Sequence, residues 1–236
     1  MTKKLFSILS IFTFSLTSFG QHSFGLKTNV GLSYLTTRTE LSSKQQVEQK
    51  FYPMPSGQIG FYYIFQITEK YTLGTELLFI PILGRERMTI FNTDINGNLN
   101  GDKGEAYYNR RIYNLGFPIY LGYNYNKMNF NIGIQTHYAL ASGGKEKGYA
   151  VINGSTSKFE NQSKKLGINK LDYGLRAGIV FEKSDKLAFN GNYYFGGTNL
   201  IEDSSAKSFM VWKAQLLTFG ITYKLIGRKK EFKTME

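Results

Sequence analysis

The sequence predicts an all-β fold: an eight-stranded antiparallel up-and-down transmembrane β-barrel. Three features carry that expectation. An apolar leader opens the chain, a series of segments alternates apolar and polar residues with a period of two, and the connections between them are alternately long and short.

The leader begins with the basic Thr2-Lys3-Lys4 and continues as the Ser/Thr-diluted apolar stretch from Leu5 to Phe19. This stretch is shorter than the roughly 20 residues a spanning helix needs. Ser18 and Gly20 supply the small residues of a cleavage site, so residues 1–20 read as a signal peptide cut before Gln21, with an uncleaved anchor as the alternative. Cys is absent, so no disulfide, thiolate metal site or lipidated cysteine is expected. The chain carries a net charge of +12, and losing Lys3 and Lys4 leaves 27 basic against 17 acidic residues, a balance of +10. With an export signal present, the counterions expected for this charge are phospholipid or lipopolysaccharide headgroups and not nucleic acid. No second apolar stretch of helical length follows, so insertion would have to proceed through strands.

The elements follow in order. Phe24, Leu26, Thr28, Val30, Leu32 and Tyr34 alternate with smaller or polar residues, and a polar connection runs from Thr36 to Lys50. A second strand from Ser56 to Ile67 turns at Thr68-Glu69-Lys70 into a third, Tyr71 to Phe79; Arg85 to Tyr107, rich in Asn, Asp and Gly, reads as a long loop. Tyr113 to Leu121 and Phe130 to Tyr138 flank a short turn at Asn124-Tyr125-Asn126, and Ser142 to Lys170 reads as another long loop. Leu171 to Phe181 and Leu187 to Phe195 flank Glu182-Lys183-Ser184-Asp185; a medium loop from Gly197 to Ser208 leads to Leu217 to Leu225. The barrel domain is thus residues 21–226, and residues 227–236 form a basic tail too short for a peptidoglycan-binding domain.

Odd connections are long and even ones short, as in barrels with short periplasmic turns and long outward loops. Alternation alone fits a soluble barrel as well. The polar face, however, is mostly Gly, Asn, Gln, Thr and Ala, where a water-facing exterior would carry many more charges. The apolar face is loaded with Tyr and Phe near strand ends, including Tyr123 and Tyr125, as interfacial girdles are.

The chain resembles the PorT-like family of small outer-membrane β-barrel proteins of Gram-negative bacteria over about residues 22–226. The resemblance rests on Leu73-Gly74-Thr75-Glu76-Leu77-Leu78-Phe79 with Gly84, on Leu115-Gly116-Phe117-Pro118-Ile119, on Leu171-Asp172-Tyr173-Gly174-Leu175 with Gly178, and on Tyr194-Phe195-Gly196-Gly197-Thr198-Asn199-Leu200. Gly116 stands where an acidic residue is common in that family. The resemblance implies the barrel and its outer-membrane location; an association with secretion and gliding attaches only to the family's namesake.

Lys27, Glu76, Asp172, Arg176 and Lys224 fall on the presumed inward face. An eight-stranded barrel is just wide enough to be filled by side chains, so these charges must pair. The expectation is a structural cluster in which Glu76 and Asp172 meet Lys27 and Arg176, with ion or proton conduction as the alternative. His137 shares the polar face, and Ser142 lies five residues on, roughly 16 Å along a strand and on the opposite pleat face, too far for a nucleophile–base pair. Asp94, Asn96, Asn98 and Asp102 superficially suggest a calcium loop but lack the bidentate acid that such a loop needs. Lys145, Lys147, Lys158, Lys164 and Lys165 could meet lipopolysaccharide phosphates or simply water. The functional expectation is therefore a non-enzymatic barrel with a closed polar lumen and no cofactor. It would act through its outward loops on lipid, lipopolysaccharide or envelope proteins. The alternatives are a subunit of a secretion or motility machine, a narrow channel, or a lipid A-modifying enzyme.

Overall fold

The computed structural model describes residues 21–39, 45–93, 99–152, 155–202 and 210–227. The leader, the tail beyond Gly227 and the whole Asp94–Asn98 segment, with three of the four residues of the candidate calcium loop, lie outside them. The strands are β1 (Gln21–Thr39), β2 (Gln45–Tyr52), β3 (Met54–Gln66), β4 (Tyr71–Thr93), β5 (Leu99–Tyr125), β6 (Met128–Ile152), β7 (Ser155–Ser163), β8 (Leu171–Glu182), β9 (Leu187–Gly196) and β10 (Met210–Gly227).

Eight of these close a ring of antiparallel neighbours: β1-β3-β4-β5-β6-β8-β9-β10 and back to β1. The other two are additions at the outer end. Strand β2 pairs with the far half of β4, and β7 with the far half of β6. Pro53, which has no N–H to give a ladder, separates β2 from β3.

Turn chemistry explains the short connections. Thr68 Oγ1 accepts from Lys70 N and Tyr71 N at 3.3 and 3.1 Å, and Ser184 Oγ accepts from Lys186 N and Leu187 N at 3.4 and 3.1 Å. Asn126 takes φ 53° in the β5–β6 turn, a left-handed conformation that Asn tolerates better than most residues.

The polarity of the wall is that of a membrane barrel. Val30 is 74% and Ile132 66% exposed, while Lys27 and Glu76 inside are 2% and 5% exposed. On β4 the outward apolar run goes from Tyr71 to Leu83 before Arg85 interrupts it. Twelve residue steps at about 3.3 Å and a tilt of about 45° give roughly 28 Å of height, close to a bilayer core.

Two sequence expectations are corrected. The segments read as long loops, Arg85 to Tyr107 and Ser142 to Lys170, are largely strand: β4, β5 and β6 run 23, 27 and 25 residues and rise well past the apolar band. The Asn/Gly/Lys composition there reflects a sheet wetted by water and not missing structure. In addition, the β5–β6 register shifts where Tyr113 faces Ala141 and Asn114 faces Ala139, leaving Leu140 as the extra residue. The bulge flips the faces beyond it, so Ser142 lies opposite the inward Ile112, on His137's side of the sheet after all.

Candidate functional site

The barrel interior is stacked in layers. Near the short-turn end a vestibule opens between the turns, lined among others by Gln66, Thr72, Asn124, Asn129, Lys186 and Lys224. Its floor is the first charged layer. Lys27 Nζ donates to both carboxylate oxygens of Glu76 at 2.9 Å, and Arg176 Nη2 donates to Glu76 Oε1 at 2.9 Å. Arg176 also donates to Asn192 Oδ1, and its guanidinium lies 4.3 Å from the centre of the Tyr120 ring. Two cations meet one carboxylate, so the layer carries a formal excess of one positive charge. The Asn192 carbonyl and the Tyr120 ring face are the groups that absorb it. Gly74 makes this possible: a Cβ there would run into the Tyr120 ring. An amide net of Asn29, Asn190 and Asn192, joined by 2.7 Å bonds, completes the layer.

Asp172 does not join this group. It lies four residues before Arg176 on β8, about 13 Å along the strand, and the register sets it opposite His137 while Arg176 faces Gly133. Barrel shear brings Glu76 to the level of Arg176. Asp172 belongs instead to a second group: Tyr194 Oη donates to its Oδ2 at 2.8 Å, and His137 Nδ1 stands 3.8 Å from the same oxygen, beyond hydrogen-bond range. The other imidazole nitrogen, Nε2, contacts Gln135, and the His137 and Tyr194 rings are 4.3 Å apart between centroids. Ser142, brought to the inner face by the bulge, bonds the backbone of Leu166 and makes no hydrogen bond to His137.

Above the histidine the lumen becomes apolar, a departure from the expected all-polar interior. Leu35, Ile80, Ile82, Ile112, Ala214 and Leu216 pack there with Ile168 and Leu200. The last two come from the connections at the mouth. An Ile168–Ile201 bridge, Asn169 N to Leu200 O at 2.8 Å and Asn169 Nδ2 to Asn199 O at 2.7 Å tie the two segments together across it.

A second charged layer caps this seal. Glu86, fully buried, accepts from Arg110 Nη1 at 2.5 Å and from Thr37 Oγ1 at 3.1 Å, while the Arg110 guanidinium lies 4.2 Å from the Trp212 ring centre. Sequence reasoning missed this pair because it placed Glu86 in the Arg85–Tyr107 loop and left Arg110 between that loop and the strand expected from Tyr113. The signal was present: the even positions Leu78, Ile80, Ile82, Gly84, Glu86 and Met88 continue the inward face of β4 without a break.

Among the described residues no group of three His, Cys, Asp or Glu could hold a metal ion. The interior chemistry is thus two ion-pair layers, an imidazole–phenol–carboxylate contact between them, and an apolar stopper. On the outside, the extended β2, β4, β5, β6 and β7 form a broad sheet standing clear of the apolar band.

No curated protein sequence matches the chain significantly. Among solved structures it is similar to Neisserial surface protein A (TM-score 0.40, 9% identity, covering 86% of this chain and 97% of that one). It is also similar to Ail, the attachment invasion locus protein of Yersinia pestis (0.36, 11%, 87% and 99%), and to the outer membrane protease OmpT of Escherichia coli (0.38, 11%, 87% and 96%). At these values the likenesses carry no functional argument. The family profile described as "Outer membrane protein beta-barrel domain" matches residues 15–202. The chain therefore belongs to the outer-membrane protein β-barrel domain family.

Proposed function

We propose that this outer-membrane barrel is non-enzymatic and sealed, and that it acts through its outer sheet in envelope structure or interaction. The observation that supports this reading is the filled lumen: from Glu76 to Arg110 it holds, in turn, paired charges, the His137–Tyr194–Asp172 contact, packed aliphatic side chains and a second ion pair. Catalysis by His137 would need substrate access, and the ring is 1% exposed with no Ser or Thr hydroxyl bonded to it among the described residues. Cleavage before Gln21 belongs to the same reading, on the small residues Ser18 and Gly20 that precede it.

Planar-bilayer recording of the refolded protein tests the seal. No step conductance is expected, and reproducible single-channel currents would overturn the reading. Lipid A mass spectra of a deletion strain test the absence of chemistry; a lost acyl or headgroup modification would overturn it.

A second reading, a subunit of an envelope secretion or motility machine, draws support from the PorT-like resemblance in Leu115–Ile119 and Tyr194–Leu200. Co-purification of a stoichiometric envelope protein would favour it.

A further inference from the structure

We infer that the outward face of the extracellular sheet, just above the apolar band, is a phosphate-binding belt for outer-leaflet lipopolysaccharide. This deepens the proposed function and rests on its reading of the outer sheet as the working surface.

The register places the cations in rows. Antiparallel partners share a face, so Lys50, Arg87, Tyr107, Lys147 and Glu160 form one outward row across five strands. Two residues closer to the band, Tyr52, Arg85, Asn109, Lys145 and Gln162 form the next. Leu83, Arg111 and Gly143 form the third, at the band's edge. These three rows hold six cations and one carboxylate. The row farther out, Glu48, Thr89, Glu105, Tyr149 and Lys158, holds two acids and one cation. Positive charge is therefore concentrated at the height where the apolar wall ends and headgroups begin. The inner edge of the band has much less of this bias: its turns set Lys70, Lys127, Lys183 and Lys186 against Glu69, Glu182 and Asp185.

Half of the belt's six cations are free of carboxylate partners among the described residues. Among the described residues Lys50 and Lys145 pair with Glu48 and Glu160 at exposed positions and Arg87 pairs with the half-buried Glu105, whereas Arg85 bonds only the Asn109 amide oxygen, and Arg111 and Lys147 make no ion pair. Rows are about 7 Å apart and strands about 5 Å apart, a grid on which one phosphate meets two or three cations. Tyr52, Tyr107 and Tyr113 lie among these rows or at the band's edge below them, as interfacial aromatics do.

The test titrates the full chain, refolded in zwitterionic detergent, with purified lipopolysaccharide and with the same material after its phosphates are removed by hydrogen fluoride. The variant is Arg85→Gln/Arg111→Gln/Lys147→Gln. An equal charge loss at the inner edge, Lys70→Gln/Lys183→Gln/Lys186→Gln, is the control. At about fivefold per cation near an anionic surface, the belt variant should bind roughly 100-fold more weakly. The control should bind like the parent, and the phosphate-free material should bind weakly to all three. Equal affinity of belt variant and parent, equal binding of phosphate-free lipopolysaccharide, or an equal loss in the control would each overturn the assignment. So would an envelope protein whose retention needs these three residues while lipopolysaccharide affinity does not. If the triple variant gives no heat-modifiable band, the three single variants, each expected to lose about fivefold, decide the same question. Conductance through the parent would defeat the sealed-barrel reading and leave this titration interpretable; unchanged affinity would defeat only the lipid assignment.

Discussion

Replacing Glu76 by Gln keeps the shape of the lower charged layer and removes its only carboxylate. Lys27 Nζ and Arg176 Nη2 each lie 2.9 Å from Glu76 Oε1, so they are separated by at most twice that, 5.8 Å. At an effective dielectric constant of about 20, two like charges at that distance repel by about 3 kcal/mol or more. Losing the central carboxylate also removes the attraction to both, which places the full cost in the range of about 3–5 kcal/mol measured for breaking buried ion pairs. The assay is urea unfolding of the barrel in lipid vesicles, followed by the emission of Trp212, the single tryptophan, with heat-modifiable gel migration as the check on folding. A double variant sharpens it. Glu76→Gln with Lys27→Met leaves one cation, restores the net charge of the layer, and should recover at least about 2 kcal/mol of the loss through the coupling of adjacent sites. A single variant within about 1 kcal/mol of the parent, or a double variant no more stable than the single, would refute the reasoning.

Three further outcomes follow from other parts of the structure. Ile112→Ala removes a fully buried side chain from the apolar seal and should cost about 2–5 kcal/mol in the same unfolding assay; a change under about 0.5 kcal/mol would mean that the seal is loosely packed. Gly74→Val drives a side chain into the Tyr120 ring that backs Arg176 and should cost about 1–3 kcal/mol, whereas Gly167→Ala, with open space around it, should be near neutral; equal effects would contradict the close approach. On the outer sheet, the hydrogen bond from Arg87, helped by one from Tyr107, holds the Glu105 carboxyl below its ordinary range. A depressed carboxyl contributes stability above its unfolded pKa and loses it as the pH falls through the folded value. Hydrogen-exchange protection around Glu105 should therefore hold through neutral pH and decline only in acid below the usual carboxylate range. A decline beginning near pH 7 would exclude this pair as its source.

What could be read from sequence and what could not divide along physical lines. Alternation in β1, β3, β8 and β9 is visible because lipid demands an unbroken apolar row outside and the packed lumen demands small or polar residues inside. The same rule identified Lys27, Glu76, Arg176, Asp172 and His137 as inward residues, all of which are buried. Outside the bilayer the demand lapses: the outward faces of β4–β6 beyond Leu83 meet water, so Asn, Gly and Lys there mimic a loop even though Glu86, Met88 and Arg110 stay buried on the inward face. Which inward residues share a layer depends on barrel shear, a property of ring closure that no single strand encodes. That is why Asp172 was expected beside Glu76 and lies with Tyr194 instead. The bulge at Leu140 reverses the face of everything after it, and one extra apolar residue in an apolar run gives no warning of it. The apolar seal went unnoticed for a related reason. Ile80 and Ile82 are no more apolar than the lipid-facing residues beside them, and only their even position on β4 sets them inside.

The central claim is a barrel that is lipid-facing outside and sealed inside, and the absence of native cysteine allows the most direct test. Single cysteines at Ile132, Gln135 and Lys147 in protein-containing vesicles would be challenged with a membrane-impermeant and a lipid-soluble maleimide. The account requires Ile132→Cys to react only with the lipid-soluble reagent, Lys147→Cys to react with both, and Gln135→Cys to react with neither until the barrel is unfolded. Aqueous labelling of Gln135→Cys in the folded barrel would show an open lumen, and aqueous labelling of Ile132→Cys would turn the barrel inside out; either result contradicts the account.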